Sequence, residues 1–357
     1  MDWGMSGRRD SYRFAIVDPF TLEEIGELEA IPESSKLTYG YYTDNYASAT
    51  IKAPGTYDRG LVRIEHTVSL PDGTSETEVL GTFFVDSAET DGGIIPEQTL
   101  TCYSTLWRLS QDYLNVDFVR KQGQTVEGGI RALCTAEGAT LITSPEIDTA
   151  ATHTKDIRFA AGDNRLESLN TYCGWKSWEL AVDGYGRQVL REYVQPQYKS
   201  VSYRFEAGEN CVYLPQEKET FTGDICNRVV ARWSREKAPD PDDGLGLSDV
   251  VTADLLTTSP MSYEVCGRRI THVLDLDEAV SHAELQQVAN DYLAQHDAAI
   301  RYLEIEHVGI PNLRAGDVVV YVNPRESDEA LLCEVTQMDI SSLSPLMMTR
   351  SKLKVIA

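Results

Sequence analysis

LGTFFVDSAETDGGIIPEQTLTCYSTLWRL, residues 80–109, sets the expected architecture of this chain. Gly81-Thr82-Phe83-Phe84-Val85-Asp86 and Gln98-Thr99-Leu100-Thr101-Cys102-Tyr103 are rich in aromatic and β-branched residues, and Asp91-Gly92-Gly93 between them has turn chemistry. The pattern predicts two strands of a hairpin. From Ser104 onward Leu106, Trp107, Leu109, Tyr113 and Leu114 recur at helical spacing, which predicts a helix closing that hairpin.

Working outward, Tyr12–Val17, the span 36–51, Leu61–His66 and Val68–Leu70 read as further strands, broken by Asp18-Pro19, Ala53-Pro54-Gly55 and Pro71-Asp72-Gly73. About six strands and one helix are expected in residues 11–115. So many short strands must cover their edges, and a small barrel or bent sheet does so. Downstream, Val126, Ile130, Leu133 and Cys134 share one helical face before Gly138, and Asn164 followed by Glu167 predicts a capped helix running to Gly174. Residues 116–174 therefore read as helical. Trp175 onward gives two strands joined at Asp183-Gly184-Tyr185-Gly186. The acidic loop 238–248, APDPDDGLGLS, reads as a boundary. Ser281 and Glu284 form a capping box, and Leu285, Val288, Ala289, Tyr292 and Leu293 make the apolar stripe of the helix it opens.

Composition narrows the function. The 357 residues are 42% hydrophobic and 9% aromatic, a globular balance with room for roughly two to four domains. With 56 acidic against 32 basic residues the net charge is −24, and no Lys/Arg run exceeds two residues, so binding to nucleic acid or an anionic membrane is unfavourable. The charge serves solubility, or lines a channel through which DNA slides without sticking. Seven cysteines without a C-x-x-C pair argue against a disulfide framework or zinc site and for reduced cytoplasmic assembly. MDWGMSGRRD lacks the apolar core of a signal peptide, and apolar runs such as Val318–Val322 are too short to span a bilayer, so no membrane anchor is expected.

Four pieces, in order, resemble phage tail hub proteins. The first is the "G-x-F-x-V-D" strand carrying Gly81 and Asp86, followed by LWRLSQDYL. The second is "W-x-L-x-V-D-x-x-G-x-x-x-L" from Trp178 through Asp183, Gly184 and Gly186 to Leu190. Asn227-Arg228-Val229-Val230-Ala231 is similar to an "N-x-V-x-V" strand, with Ala231 at the second valine. The fourth is "P-x-L-x-x-G-D-x-V" at Pro311, Leu313, Gly316, Asp317 and Val319, where Gly316-Asp317 suits a tight turn.

The resemblance implies a relative of the central baseplate hub and of the N-terminal part of the type VI secretion spike. The implied fold is β-rich α+β, with two tube-like β-barrel modules and inserted small α/β subdomains. Residues 11–115 would form the first barrel module and 116–195 an inserted helical plus hairpin subdomain. Strands in 196–249 and 303–357 would build the second barrel module, leaving 250–302 as a small α/β subdomain with the capped helix. The implied role is structural, not enzymatic, and uses no cofactor. A homotrimeric ring of pseudo-sixfold symmetry at the virion tail tip would join a sixfold tail tube or distal tail protein to a threefold spike, fibre or tape measure protein. DNA would pass through its lumen without specific binding.

No constellation demands catalysis. His272, Asp275, Asp277, Glu278 and His282 are the best metal-like cluster, but acidic residues ahead of Ser281 equally suit the positive end of a helix dipole. Asp240-Pro241-Asp242-Asp243-Gly244 faintly resembles a calcium loop and lacks its closing Glu, which leaves a solvated acidic linker. Glu304 and Glu306 share a strand face, as paired carboxylates of a cell-wall hydrolase would, and also as any half-buried strand would. Trp175 and Trp178 suit either a sugar platform or core packing. No nucleophile elbow, H-E-x-x-H, Walker loop or dinucleotide fingerprint is present. The alternatives to a hub are therefore a carbohydrate- or receptor-binding tail module and, with least support, a cell-wall hydrolase.

Overall fold

The computed structural model describes residues 7–356 apart from 42, 44, 58–59, 92–95, 137, 154–155, 215–225, 236–244, 258–261, 277–279, 296–300 and 326. Gly92-Gly93, the Asp240–Gly244 stretch and Asp277-Glu278 lie outside the described residues. The chain divides into two compact units, Met1–Pro215 with Leu303–Ala357, and Gln216–Tyr302.

In the first unit the chain opens with β1 (Arg9–Val17), β2 (Glu24–Glu27), β3 (Ile31–Gly40), β4 (Ala47–Pro54), β5 (Leu61–Ser69), β6 (Ser75–Thr90) and β7 (Glu97–Ser104). Alternation is clean where one face meets the core: Ala47, Ala49, Ile51 and Ala53 of β4 are buried, and the residues between them are not. β6 and β7 pair antiparallel, as their composition predicts. The sixteen residues of β6 bend at two bulges. Register shifts leave Leu80 unpaired against β5, where Ile64 faces Gly81 and Glu65 faces Val79. They leave Asp86 unpaired against β7, between Val85 facing Cys102 and Ser87 facing Thr101. An extra residue kinks a strand and deepens its twist, so the "G-x-F-x-V-D" pattern marks a strand that turns a corner. The Tyr39 hydroxyl fixes the first bulge by donating to the Leu80 carbonyl at 2.8 Å.

The predicted closing helix is only one turn, α1 (Trp107–Ser110). Tyr113 and Leu114 leave it because Tyr113 bridges Asn164, Leu114 N–H donates to Asp163 O at 2.9 Å, and Asp112 pairs with Arg165. β8 (Phe118–Arg120), α2 (Val126–Thr135), β9 (Leu141–Thr143), β10 (Ile157–Phe159), α3 (Arg165–Gly174), β11 (Trp178–Val182) and β12 (Gln188–Glu192) follow. Their apolar faces share a core of their own, with Leu109, Ile130, Leu133, Leu169 and Leu190 fully buried. Asn164 caps α3, accepting from the Leu166 and Glu167 N–H groups.

β13 (Val201–Glu206) and β14 (Cys211–Leu214) return to the main sheet. The second unit holds β15 (Arg228–Ser234), β16 (Ser248–Asp254), α4 (Tyr263–Cys266), β17 (Thr271–Leu276) and α5 (His282–Gln295). β18 (Tyr302–Val308), β19 (Val318–Asn323), β20 (Ser327–Ile340) and β21 (Met348–Val355) finish the first unit. Here one expectation fails. The Asn227 strand, assigned by sequence to the second barrel module, is the centre of a separate three-stranded sheet, β16-β15-β17. Val229, Ala231 and Trp233 are buried with Leu285 and Ala289 of α5, whose stripe supplies the apolar partner that β15 needs.

The main sheet has thirteen strands in the order β14-β18-β21-β20-β3-β4-β7-β6-β5-β1-β2, with β13 joined through β19 to β20. The strands expected in two modules are thus continuous. β20 makes the join: residues 327–334 face β19, and 337–340 face Gly40–Leu37 of β3. Leu37, Ile51, Phe83 and Leu100 from the start of the chain share one core with Phe205, Ile305, Val335 and Leu353 from its later part. Burial of each such side chain is worth roughly 1.5–3 kcal/mol, which is what holds distant segments in one sheet. The fold class is β-rich, as expected.

Candidate functional site: a cleft where the sequence motifs converge

Five of the eight motif residues, Gly81, Asp183, Gly184, Gly316 and Asp317, line one cleft of about 580 Å³ in the first unit. It lies where the β11–β12 hairpin meets β6 and the turn ahead of β19. Gly184 approaches β6 so closely that a Cβ there would stand 2.6 Å from the Val79 carbonyl oxygen. The Thr82 hydroxyl donates to Gly184 O at 2.8 Å, and the Thr105 hydroxyl donates to Gly186 O at 2.9 Å. Asp183 closes the hairpin turn by accepting from Arg187 N–H at 2.9 Å and Nε at 2.7 Å.

Across the cleft, Gly316 has φ +93°, and a Cβ would stand 2.5 Å from the Tyr41 ring. Asp317 accepts from Arg314 N–H at 2.8 Å, and burial pushes its carboxyl above the usual carboxylate range. Arg314 donates to Pro311 O, to Leu313 O at 2.9 Å and to Val79 O at 3.1 Å, so Pro311 anchors the same turn. Tyr46 donates to Ala315 O at 3.1 Å.

A charged network crosses the floor. Glu179 accepts from the Tyr41 hydroxyl at 2.8 Å and from Arg191 Nε at 2.7 Å. Burial opposes the charge on Arg191, but Glu179 outweighs it and raises the guanidinium's pKa. Lys199 donates to Gly316 O at 2.9 Å, sits 4.8 Å over the Tyr41 ring and is 3.7 Å from the fully buried Glu334. Ion pairs and backbone carbonyls occupy these groups. Chemically the arrangement fastens the β11–β12 hairpin to β6 and to the turn ahead of β19.

Asp86 is instead an exposed bulge residue of β6. Asn227 belongs to the other unit, where its amide donates to Arg268 O at 2.8 Å and accepts from Ile270 N–H at 2.7 Å. The metal-like candidates do not gather: Asp275 pairs with Arg232, His272 stacks on Tyr292, and His282 meets Asp249. Among the described residues no group of three His, Cys, Asp or Glu side chains suits a metal ion. Glu304 and Glu306 lie half-buried opposite Leu303 and Ile305 on β18. Trp178 packs in the subdomain core, while Trp175, 43% exposed, stacks on Phe159 at 5.6 Å. No helix among the described residues is long and apolar enough to cross a membrane.

Sequence reading missed Tyr41, Glu179, Arg191, Lys199 and Glu334, which lie far apart in the chain. It also missed a buried cluster in which Asp10 accepts from His66 Nε2 at 2.9 Å, from Arg8 and from Met347 N–H at 2.7 Å. Burial works against the Asp10 carboxylate, yet these donors together lower its pKa. No local pattern announces such pairs.

No family model matches the chain, and no curated protein matches it. Solved structures do. A tail protein from Neisseria meningitidis MC58 superposes with TM-score 0.64 at 12% identity, over 96% of each chain. The 43 kDa tail protein of prophage MuSo2 from Shewanella oneidensis gives TM-score 0.60 at 12% identity, over 96% of this chain and 97% of its own. A chain of the Francisella PdpA–VgrG complex gives 0.53 at 8% identity, over 98% of this chain and 53% of its own. At these identities the likeness is one of fold, and it runs through both units.

Proposed function

We propose that the chain is a structural phage tail protein acting as the tail hub. One observation carries this reading: the fold matches tail proteins over 96% of this chain and 96–97% of theirs. The motif residues support it, because they build turns, bulges and a joint instead of a reaction centre. In this reading the two ends of the thirteen-stranded sheet supply two tube-like modules per chain. Three copies then form a ring that joins a sixfold tube or distal tail protein to a threefold spike or fibre. The charge of −24 suits a lumen that DNA crosses without sticking.

Light scattering of the purified chain, alone and with tail-tip partner proteins, is expected to give the mass of a threefold ring. A stable monomer that ignores those partners and instead binds cell-wall glycan saturably would replace the hub by the receptor-binding reading, with the exposed Trp175 face as its platform.

A further inference from the structure

We infer that copies of this chain associate head to tail through two complementary patches, a basic–apolar tip on the small unit of one copy and the acidic outer strand β2 of the next. The inference rests on the ring reading above and names its contact. The tip is built by Asn227. Its side chain holds Arg268 O and Ile270 N–H, and its backbone pairs with Ile270 and Leu255. That fixes the segments on either side of α4. Gly267, at φ +68°, ends α4 and turns the chain into Arg268 and Arg269.

Leu256 is 77% exposed, Val265 63% and Tyr263 47%, and the Arg269 guanidinium lies 4.9 Å over the Tyr263 ring. Both arginines are exposed; Arg269 feels the charge of Asp254, which is already paired with Arg228, and Glu264 is exposed on α4, but neither arginine closes a carboxylate ion pair among the described residues. In a chain of net charge −24 this apolar surface with two adjacent cations stands out from its surroundings. Exposed aromatic and arginine side chains together are the usual anchors of a protein contact. Nucleic acid is a poor occupant, because the rest of the chain repels a polyanion.

The chain itself carries the matching surface. β2 ends the main sheet and pairs only with β1, which leaves its outer edge unpaired among the described residues. Ile25 is 66% exposed at its centre, with Glu23, Glu27 and Glu29 exposed at the alternate positions around it. Glu27 meets Arg13 at 3.4 Å, while Glu23 and Glu29 have no cationic partner among the described residues. Apolar meets apolar and cation meets carboxylate. The two patches are different surfaces, so the contact is heterologous, the kind that closes into a ring when the rotation allows.

The test is a charge swap in the full-length chain, read by sedimentation and light scattering at low and moderate salt, alone and with tail-tip proteins. R268E/R269E and E23K/E29K are each expected to weaken self-association at least about tenfold, and the four-residue combination to restore it. Added salt is expected to weaken the wild-type contact. All four altered side chains in these variants are surface groups, and unchanged thermal melts confirm folding. A ring of wild-type strength in R268E/R269E, or no restoration in the combined chain, overturns this contact and leaves the hub reading standing. A wild-type chain that never self-associates, alone or with partners, overturns both.

Discussion

His307 shows how a single side chain couples the sheet to pH. It is almost fully buried on β18, with Nδ1 donating to the Val308 carbonyl and Nε2 receiving the Ser351 hydroxyl of β21, both at 2.9 Å. Nδ1 already carries a proton, so charging the ring means protonating Nε2 and turning the Ser351 hydroxyl away, and burial lowers its pKa to about 4, against the weaker opposing pull of the Val308 carbonyl. The unfolded chain takes up that proton near 6.5, so His307 contributes stability above that pH and loses it as pH falls towards about 4. The contribution is on the order of 3 kcal/mol. H307Q is expected to flatten the fall in urea midpoint between pH 7 and pH 4.5. Parallel wild-type and variant curves would show that His307 titrates normally. Asp10 works in the same direction: its depressed carboxyl favours the fold above the ordinary carboxylate range and ceases to do so as acid protonates it.

At the scale of elements, the turn ahead of β19 is the piece on which the cleft depends. Gly316 N–H donates to Val335 O at 2.7 Å, and Val335 N–H donates to Asp317 O at 2.8 Å, so the turn is already locked to β20. G316A forces a side chain into left-handed backbone and against the Tyr41 ring, a cost of roughly 1–3 kcal/mol. Displacing Tyr41 also disturbs Glu179, which its hydroxyl bonds. Hydrogen exchange is expected to quicken at both the 314–318 turn and the β11–β12 hairpin in G316A; a change confined to the turn would mean that the cleft does not couple them. The motif glycine and aspartate were legible because a tight turn leaves a local signature. Glu179 on β11 and Lys199 in the turn ahead of β13 were not, since a charged residue on a strand or in a turn reads as solvated until its partner is known.

The whole molecule has two units with separate apolar cores, and separate cores unfold separately when little joins them. Calorimetry is expected to resolve two transitions. L285A, which empties a fully buried position in the small unit, should cost about 2–5 kcal/mol and move only the smaller transition. One transition shifting as a whole would make the chain a single cooperative body.

The hairpins, the caps at Asn164 and Ser281 and the burial alternation of β4 and β18 were decided by sequence, because each depends on residues within a few positions of one another. The alternation fixes which face of a strand is buried, not which strand lies beside it. Tertiary structure alone decided that β20 joins β3 across some three hundred residues, that the Asn227 strand packs under α5, and that the helix after Ser104 stops after one turn. Those outcomes follow from competition among apolar faces and from long-range bonds such as Asp112 to Arg165, whose partners no local window contains.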